Sequence, residues 1–191
     1  MSYQQIWAPW RLSYLQQAPT DSSRESTSLG FLPGADPDCF LCQSAVDSTN
    51  PSRHVVECGE LALTLLNRFP YNNGHLLVAP RRHCARLDEL SAEEHSALLQ
   101  TITKMVKLLE QVLNPQGFNL GLNLGTAAGA GVPGHLHWHI VPRWNGDTNF
   151  MLTIAAVKVI PQALEELRET LVQAIASSER GAQRPIGSHD P

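Results

Sequence analysis

A chain of 191 residues, 42% apolar and 17% charged, is long enough to bury a core and too apolar to stay unfolded. Its formal net charge of −4 argues against gripping a nucleic-acid polymer by bulk phosphate attraction, which needs a basic surface, though a local basic patch can still hold one small anion. No apolar run approaches the ~20 residues that span a bilayer, and residues 1–15 lack the charged start and long apolar stretch of a secretory signal, so a cytoplasmic protein is expected.

Residues 5–15 carry Ile6, Trp7, Trp10, Leu12, Tyr14 and Leu15, which predicts docking on the body of the protein or on a second subunit. Residues 16–38, rich in Ser, Thr, Pro, Gly and Asp, predict a loop that completes an N-terminal extension over 1–38. Cys39-Phe40-Leu41-Cys42 follows. With Cys58 and Cys84 these are the four cysteines, read as thiols or metal ligands rather than a disulfide framework. Residues 54–58 and 61–66, parted by Gly59-Glu60, predict a hairpin. A turn-rich stretch over 69–74 leads into a strand over 75–79, which Pro80 ends. Ser91 and Glu94 fit a capping box, and Leu98, Ile102, Met105, Leu109 and Val112 recur at helical spacing. Asn114-Pro115 stops that helix.

Residues 118–124 predict a strand with Phe118, Leu120, Leu122 and Leu124 on one face and Asn119, Gly121 and Asn123 on the other. Residues 125–134 are glycine-rich, and 135–141 alternate as a strand. Pro161 predicts the first position of a second helix running to about Ser177, before a disordered tail over 179–191. The order of elements predicts one α+β domain over 39–178, with an antiparallel sheet and two main helices.

The chemistry concentrates in His135-Leu136-His137-Trp138-His139. On a strand, alternate side chains share a face, so the three imidazoles line one side while Leu136, Trp138 and Ile140 point into the core. Neutral imidazole abounds at pH 7 and can attack phosphorus or take a proton. Attack yields a phosphoramidate that a second acceptor then cleaves, so two easier steps replace one hard one. The preceding glycines, Gly125, Gly129, Gly131 and Gly134, let backbone N–H groups approach an anion. The loop is not a Walker loop, because no Gly-Lys-Ser/Thr ending is present.

Residues 135–141 match the signature His-φ-His-φ-His-φ-φ, with φ apolar, and the sequence here resembles the histidine triad (HIT) superfamily. Asn67-Arg68-Phe69-Pro70 and Gly74-His75, followed by 76–80, are similar to that family's nucleoside-binding strand pair. Within the superfamily, residues 117–125 with 135–144, Ile6-Trp7-Ala8-Pro9-Trp10-Arg11 and 147–161 resemble the bacterial diadenosine tetraphosphate phosphorylase branch. The resemblance implies a HIT-like fold and a nucleotidyltransferase, usually a homodimer, that takes dinucleoside polyphosphate and inorganic phosphate to two nucleotides. It implies His137 as nucleophile and His139 at the phosphate or leaving group, with His135 completing the triad. It also implies Asn67 at the ribose and Asn123 at the phosphate. Gly131 belongs to the phosphate loop, and Trp144 is a candidate base-stacking residue. A Gly-Ser pair of that branch is replaced by Ala130-Gly131, without a hydroxyl, so phosphorolysis and the alternative, hydrolysis of dinucleoside polyphosphates or nucleoside phosphoramidates with water as acceptor, both stay open.

Cys39-x-x-Cys42 is half of a zinc site. Relatives of this family with such a pair use a His after the strand that Pro80 ends and the first His of the triad, which implies Cys39, Cys42, His83 and His135 as a closed structural Zn2+ site. His54 is the alternative to His83. Arg81, Arg82 and Arg143 are candidates to attract polyphosphate, and His75 is read as packing near the nucleoside pocket. Two other classes compete. A barrel hydrolase with His135 and His137 as metal ligands needs ~250 residues and a repeated strand–helix pattern. A non-catalytic nucleotide-binding or zinc-stabilised interaction protein would not require His137 for turnover.

Overall fold

A computed structural model describes residues 30–148 and 159–182. The apolar segment 5–15, the first part of the loop 16–38 and residues 183–191 of the predicted tail lie outside the described residues.

Strands β1 (Val55–Cys58), β2 (Ala62–Leu66), β3 (Leu76–Pro80), β4 (Gly117–Leu122) and β5 (Trp138–Arg143) form one antiparallel sheet. Their spatial order is β1-β2-β3-β5-β4. Among the described residues the helices are α1 (Phe40–Val46), α2 (Ala92–Leu113) and α3 (Leu164–Ala182). Every residue of β2 and β3 is buried, as expected for central strands covered on both faces. On one face Leu66, Leu76, Val78 and Ile140 pack against Leu98, Ile102, Met105 and Leu109 of α2 and Leu167 and Leu171 of α3. On the other, Leu63, Leu65, Leu77 and Ala79 pack against Leu41, Cys42 and Ala45 of α1. Each fully buried Leu contributes about 1.5–3 kcal/mol relative to exposure, so the two clusters fix which face each strand residue presents.

The expected α+β domain is present, with differences in its parts. Ser91 accepts from the Glu94 backbone N–H while the Glu94 carboxylate accepts from the Ser91 N–H, closing the capping box of α2. Asn114 ends that helix with φ +47°, a left-handed conformation Asn tolerates. α1 was not expected as a helix. Leu41 and Ala45, four apart, turn one side of this short element onto the sheet. α3 starts at Leu164, not Pro161, and the Leu167 N–H bonds the Ala163 carbonyl at 3.1 Å. β4 ends at Leu122 and β5 begins only at Trp138, so the histidine run straddles a strand entry instead of lying within a strand. Leu120 is half exposed because β4 is the sheet edge.

Candidate active site and metal centre

Antiparallel pairing sets His139 opposite Leu77 of β3 and opposite Gly121 of β4. Cross-strand partners share a face, so His139 lies on the α1 side of the sheet. His75, two residues before Leu77, lies on the same side and is fully buried. A Cβ built on Gly121 meets nothing within 4 Å, which leaves open space beside the His139 ring. Continuing the β4–β5 register carries Asn123 across from His137.

The hydrogen bonds assign the proton on each ring. The Tyr71 N–H donates to His75 Nδ1 at 3.0 Å. His75 therefore carries its proton on Nε2 and donates it to His139 Nδ1, 2.9 Å away. His139 in turn carries its proton on Nε2, a buried atom with no partner among the described residues. His137 Nδ1 lies 2.8 Å from the His135 carbonyl and must donate to it, which leaves the His137 Nε2 lone pair bare. The His137 and His139 rings meet edge to face with centroids 5.1 Å apart. The site thus sets an unprotonated nitrogen beside a protonated one. Burial lowers the pKa of His137, and burial together with His137 takes His139 to about 4, so both rings are neutral at pH 7.

His135 faces elsewhere. Its Nε2–H donates to the Pro80 carbonyl at 2.9 Å, and its Nδ1 lone pair lies 3.4 Å from Cys39 Sγ and 3.6 Å from Cys42 Sγ. His83 Nδ1 lies 3.3 Å from Cys42 Sγ. The four ligand atoms fall within 4.8 Å of one another. Two ligands on one tetrahedral zinc, at ~2.3 Å for sulfur and ~2.0 Å for nitrogen, stand about 3.5 Å apart, so these separations fit that ion. Without a cation, burial and the neighbouring Cys42 push the Cys39 thiol up to about 11, and burial takes His135 down to about 4. The cluster favours neutral groups until a dication reverses the balance. With both nitrogens engaged, His135 belongs to this cluster rather than to proton transfer. His54 is not part of it.

The other candidates divide. Asn67 is at the site: its Nδ2 lies 3.3 Å from His75 Nδ1, and its Oδ1 accepts from the Phe69 N–H. Gly131 lies in the exposed loop that follows β4. Trp144 lies at the far end of β5, five residues and ~16 Å of strand beyond His139, with its indole N–H on the Asn114 carbonyl. Arg82 is committed to Glu94, and Arg143 to Asp147 and Asn119. His75, read from the sequence as packing, is a hydrogen-bonding member of the site. The sequence signal for it was the fixed spacing to Leu77, which becomes legible only once β3 is paired with β5.

The family model for the HIT domain matches residues 48–146. The AP-4-A phosphorylase of Mycobacterium tuberculosis strain H37Rv is 38% identical over 168 residues, covering 88% of this chain and 82% of that protein. Adenosine 5'-monophosphoramidase hnt1 of Schizosaccharomyces pombe is 30% identical over 137 residues, covering 72% of this chain and 98% of that protein. Among solved structures, a zinc-bound histidine triad family protein from Mycobacterium smegmatis superimposes with a TM-score of 0.60 at 23% identity, over 75% of this chain and 97% of that one.

Proposed function

Because this chain belongs to the HIT family, we propose that it is a nucleotidyltransferase that phosphorolyses diadenosine tetraphosphate through a nucleotidyl-histidine intermediate. The observation that carries the reading is the opposed protonation of two adjacent rings, an unprotonated His137 Nε2 beside a His139 Nε2–H that meets no acceptor among the described residues. In the first step the His137 Nε2 lone pair attacks the phosphorus next to one adenosine. The P–O bond to the rest of the polyphosphate breaks, and the ATP oxygen departs as a phosphate anion that accepts a hydrogen bond from the neutral His139 Nε2–H. The His137 Nδ1–H on the His135 carbonyl steadies the positive ring that forms. In the second step inorganic phosphate attacks the same phosphorus, the N–P bond breaks, and ADP leaves. Asn67 would hold the ribose, and Asn123 with the backbone around Gly131 would meet phosphate oxygens.

The second reading is hydrolysis, with water as acceptor. Ala130-Gly131, which brings no hydroxyl to the loop, favours it. A phosphoramidase among the relatives is consistent with it. A structural Zn2+ held by Cys39, Cys42, His83 and His135 supports either reading. Bound there, it would supply a fixed cross-link and no open coordination position. A homodimer is supported by the edge of β4, which pairs with no further strand among the described residues and where Leu120 is 50% exposed, and by Leu124 just beyond it at 48%.

The test is product analysis with diadenosine tetraphosphate, with and without added phosphate. Equal ADP and ATP formed only with phosphate is expected; ATP plus AMP without phosphate selects hydrolysis. His137→Asn should lose at least about 10³-fold in kcat while still binding nucleotide. Retained turnover in that variant overturns both readings.

A further inference from the structure

We propose that Asn72 and Asp147 are positioning residues, forming a latch that holds the β2–β3 loop so that the His75–His139 pair keeps its protons on Nε2. The inference rests on the reading of His139 as hydrogen-bond donor to the leaving group and adds how the proton of that bond is kept in place.

The Asn72 side chain is buried and has two N–H bonds to give. One goes to the Pro142 carbonyl at 2.9 Å and one to Asp147 Oδ2 at 2.8 Å. The Asp147 carboxylate is itself held by Arg143 through Nε at 2.6 Å and a terminal nitrogen at 3.1 Å, and by the Trp144 N–H at 3.3 Å. Arg143 is braced in turn by Asn119 Oδ1 at 2.7 Å. The loop is therefore tied to the end of β5 and, through Asn119, to β4.

The tie falls at a telling place in the chain. The residue before Asn72 is Tyr71, whose N–H sets the acceptor state of His75 Nδ1. The Asn72 carbonyl accepts the His75 N–H at 3.2 Å. The Tyr71 ring lies over both His75 and His139, with centroids 4.8 and 5.9 Å away. Gly74, at φ +75°, adopts a conformation that a side chain would strain, and a Cβ there would also displace a Leu113 methyl 2.5 Å away. The loop is thus seated by its side-chain amide at one residue and by close approach at another.

The consequence is a single proton position relayed through two rings. The Asn67 amide is the other donor near His75 Nδ1, at a longer 3.3 Å; once the Tyr71 N–H leaves, that weaker contact alone opposes a proton on Nδ1, and where the proton moves there His75 Nε2 becomes an acceptor. His139 must then donate from Nδ1, and its Nε2 turns a lone pair toward the leaving group. Nothing at the site has been removed, yet the donor is gone.

Ring 15N chemical shifts of His75 and His139 at pH 7.5 read the tautomers directly. Both rings should be Nε2–H in the unaltered protein. Asn72→Ala should populate the Nδ1–H form in both, lower kcat at least tenfold and change KM less than threefold. Asp147→Asn, which keeps an oxygen for Asn72, should restore the Nε2–H form that Asp147→Ala loses. If Asn72→Ala does not fold, Asp147→Ala against Asp147→Asn carries the same test. Unchanged tautomers in the alanine variants overturn the latch. Changed tautomers with unchanged turnover sustain the latch and refute His139 as donor.

Discussion

His137 and His139 are the same residue type two positions apart, and they differ by which nitrogen holds the hydrogen. Neither ring decides this alone. His137 is set by a carbonyl two residues back in its own segment, and His139 by a histidine on another strand that a loop N–H sets in turn. His75→Phe should therefore be costly although it keeps an aromatic ring in a fully buried place. It strands the Tyr71 N–H and leaves His139 Nδ1 without its donor. A buried unsatisfied donor costs about 1–3 kcal/mol, and losing a hydrogen-bond donor at the leaving group lowers rate by about 10²–10³-fold. Chemical denaturation and steady-state kinetics measure the two effects. An unchanged kcat would show that His139 needs no help from His75. The three triad histidines were legible in the sequence because a period of two is a local signal. The division of labour among them was not: His135 turns to the cysteines 93–96 residues earlier in the chain, and His75 reaches His139 across 64 residues. Asn72 and Asp147, 75 residues apart, carried no signal that a single segment could display.

At the scale of elements, the start of α2 is coupled to the exit of β3. The Glu94 carboxylate closes the capping box and also receives Arg82 at 2.6 and 3.0 Å, while Arg82 reaches the Glu89 carbonyl. Arg82 immediately precedes His83, so the helix cap braces the segment that leads to the cysteine–histidine cluster. The capping box was readable from Ser91 and Glu94 alone, whereas the Arg82 contact needed the chain path between β3 and α2. Arg82 is the main reason the Glu94 pKa falls from the usual 4.5 to about 2. A carboxylate whose pKa is depressed on folding stabilises the protein fully above pH 4.5, and that contribution is lost as pH falls from there toward 2. Because the Arg82 side chain is 40% exposed, solvent weakens the pair. We expect Glu94→Gln to cost about 1–2 kcal/mol at pH 7 and to flatten the acid limb of the stability curve. Urea unfolding from pH 7 to pH 3 measures both. A variant that parallels the parent at every pH would assign the acid sensitivity to other groups.

For the whole molecule, the proposed metal site would tie together parts that the sheet alone does not. Cys39 and Cys42 come from the start of α1, His83 from the segment after β3, and His135 from the entry to β5. A zinc ion there would close a loop of 96 residues between Cys39 and His135, and a cross-link over a long loop removes much entropy from the unfolded chain. It would also fix the backbone of His135, whose carbonyl sets the proton on His137. Stability and catalysis would then respond together to metal removal. Purified protein should hold about one zinc per chain by elemental analysis, and Cys42→Ser should hold less. Stripping the metal with a chelator should lower Tm by more than about 5 °C, since 1 kcal/mol is worth roughly 2–4 °C at this size, and should lower kcat with it. Adding zinc back should restore both, whereas magnesium, which prefers oxygen ligands, should restore neither. Full activity and an unchanged Tm in metal-free protein would show that hydrogen bonds among the cysteines and histidines hold this corner of the fold without an ion.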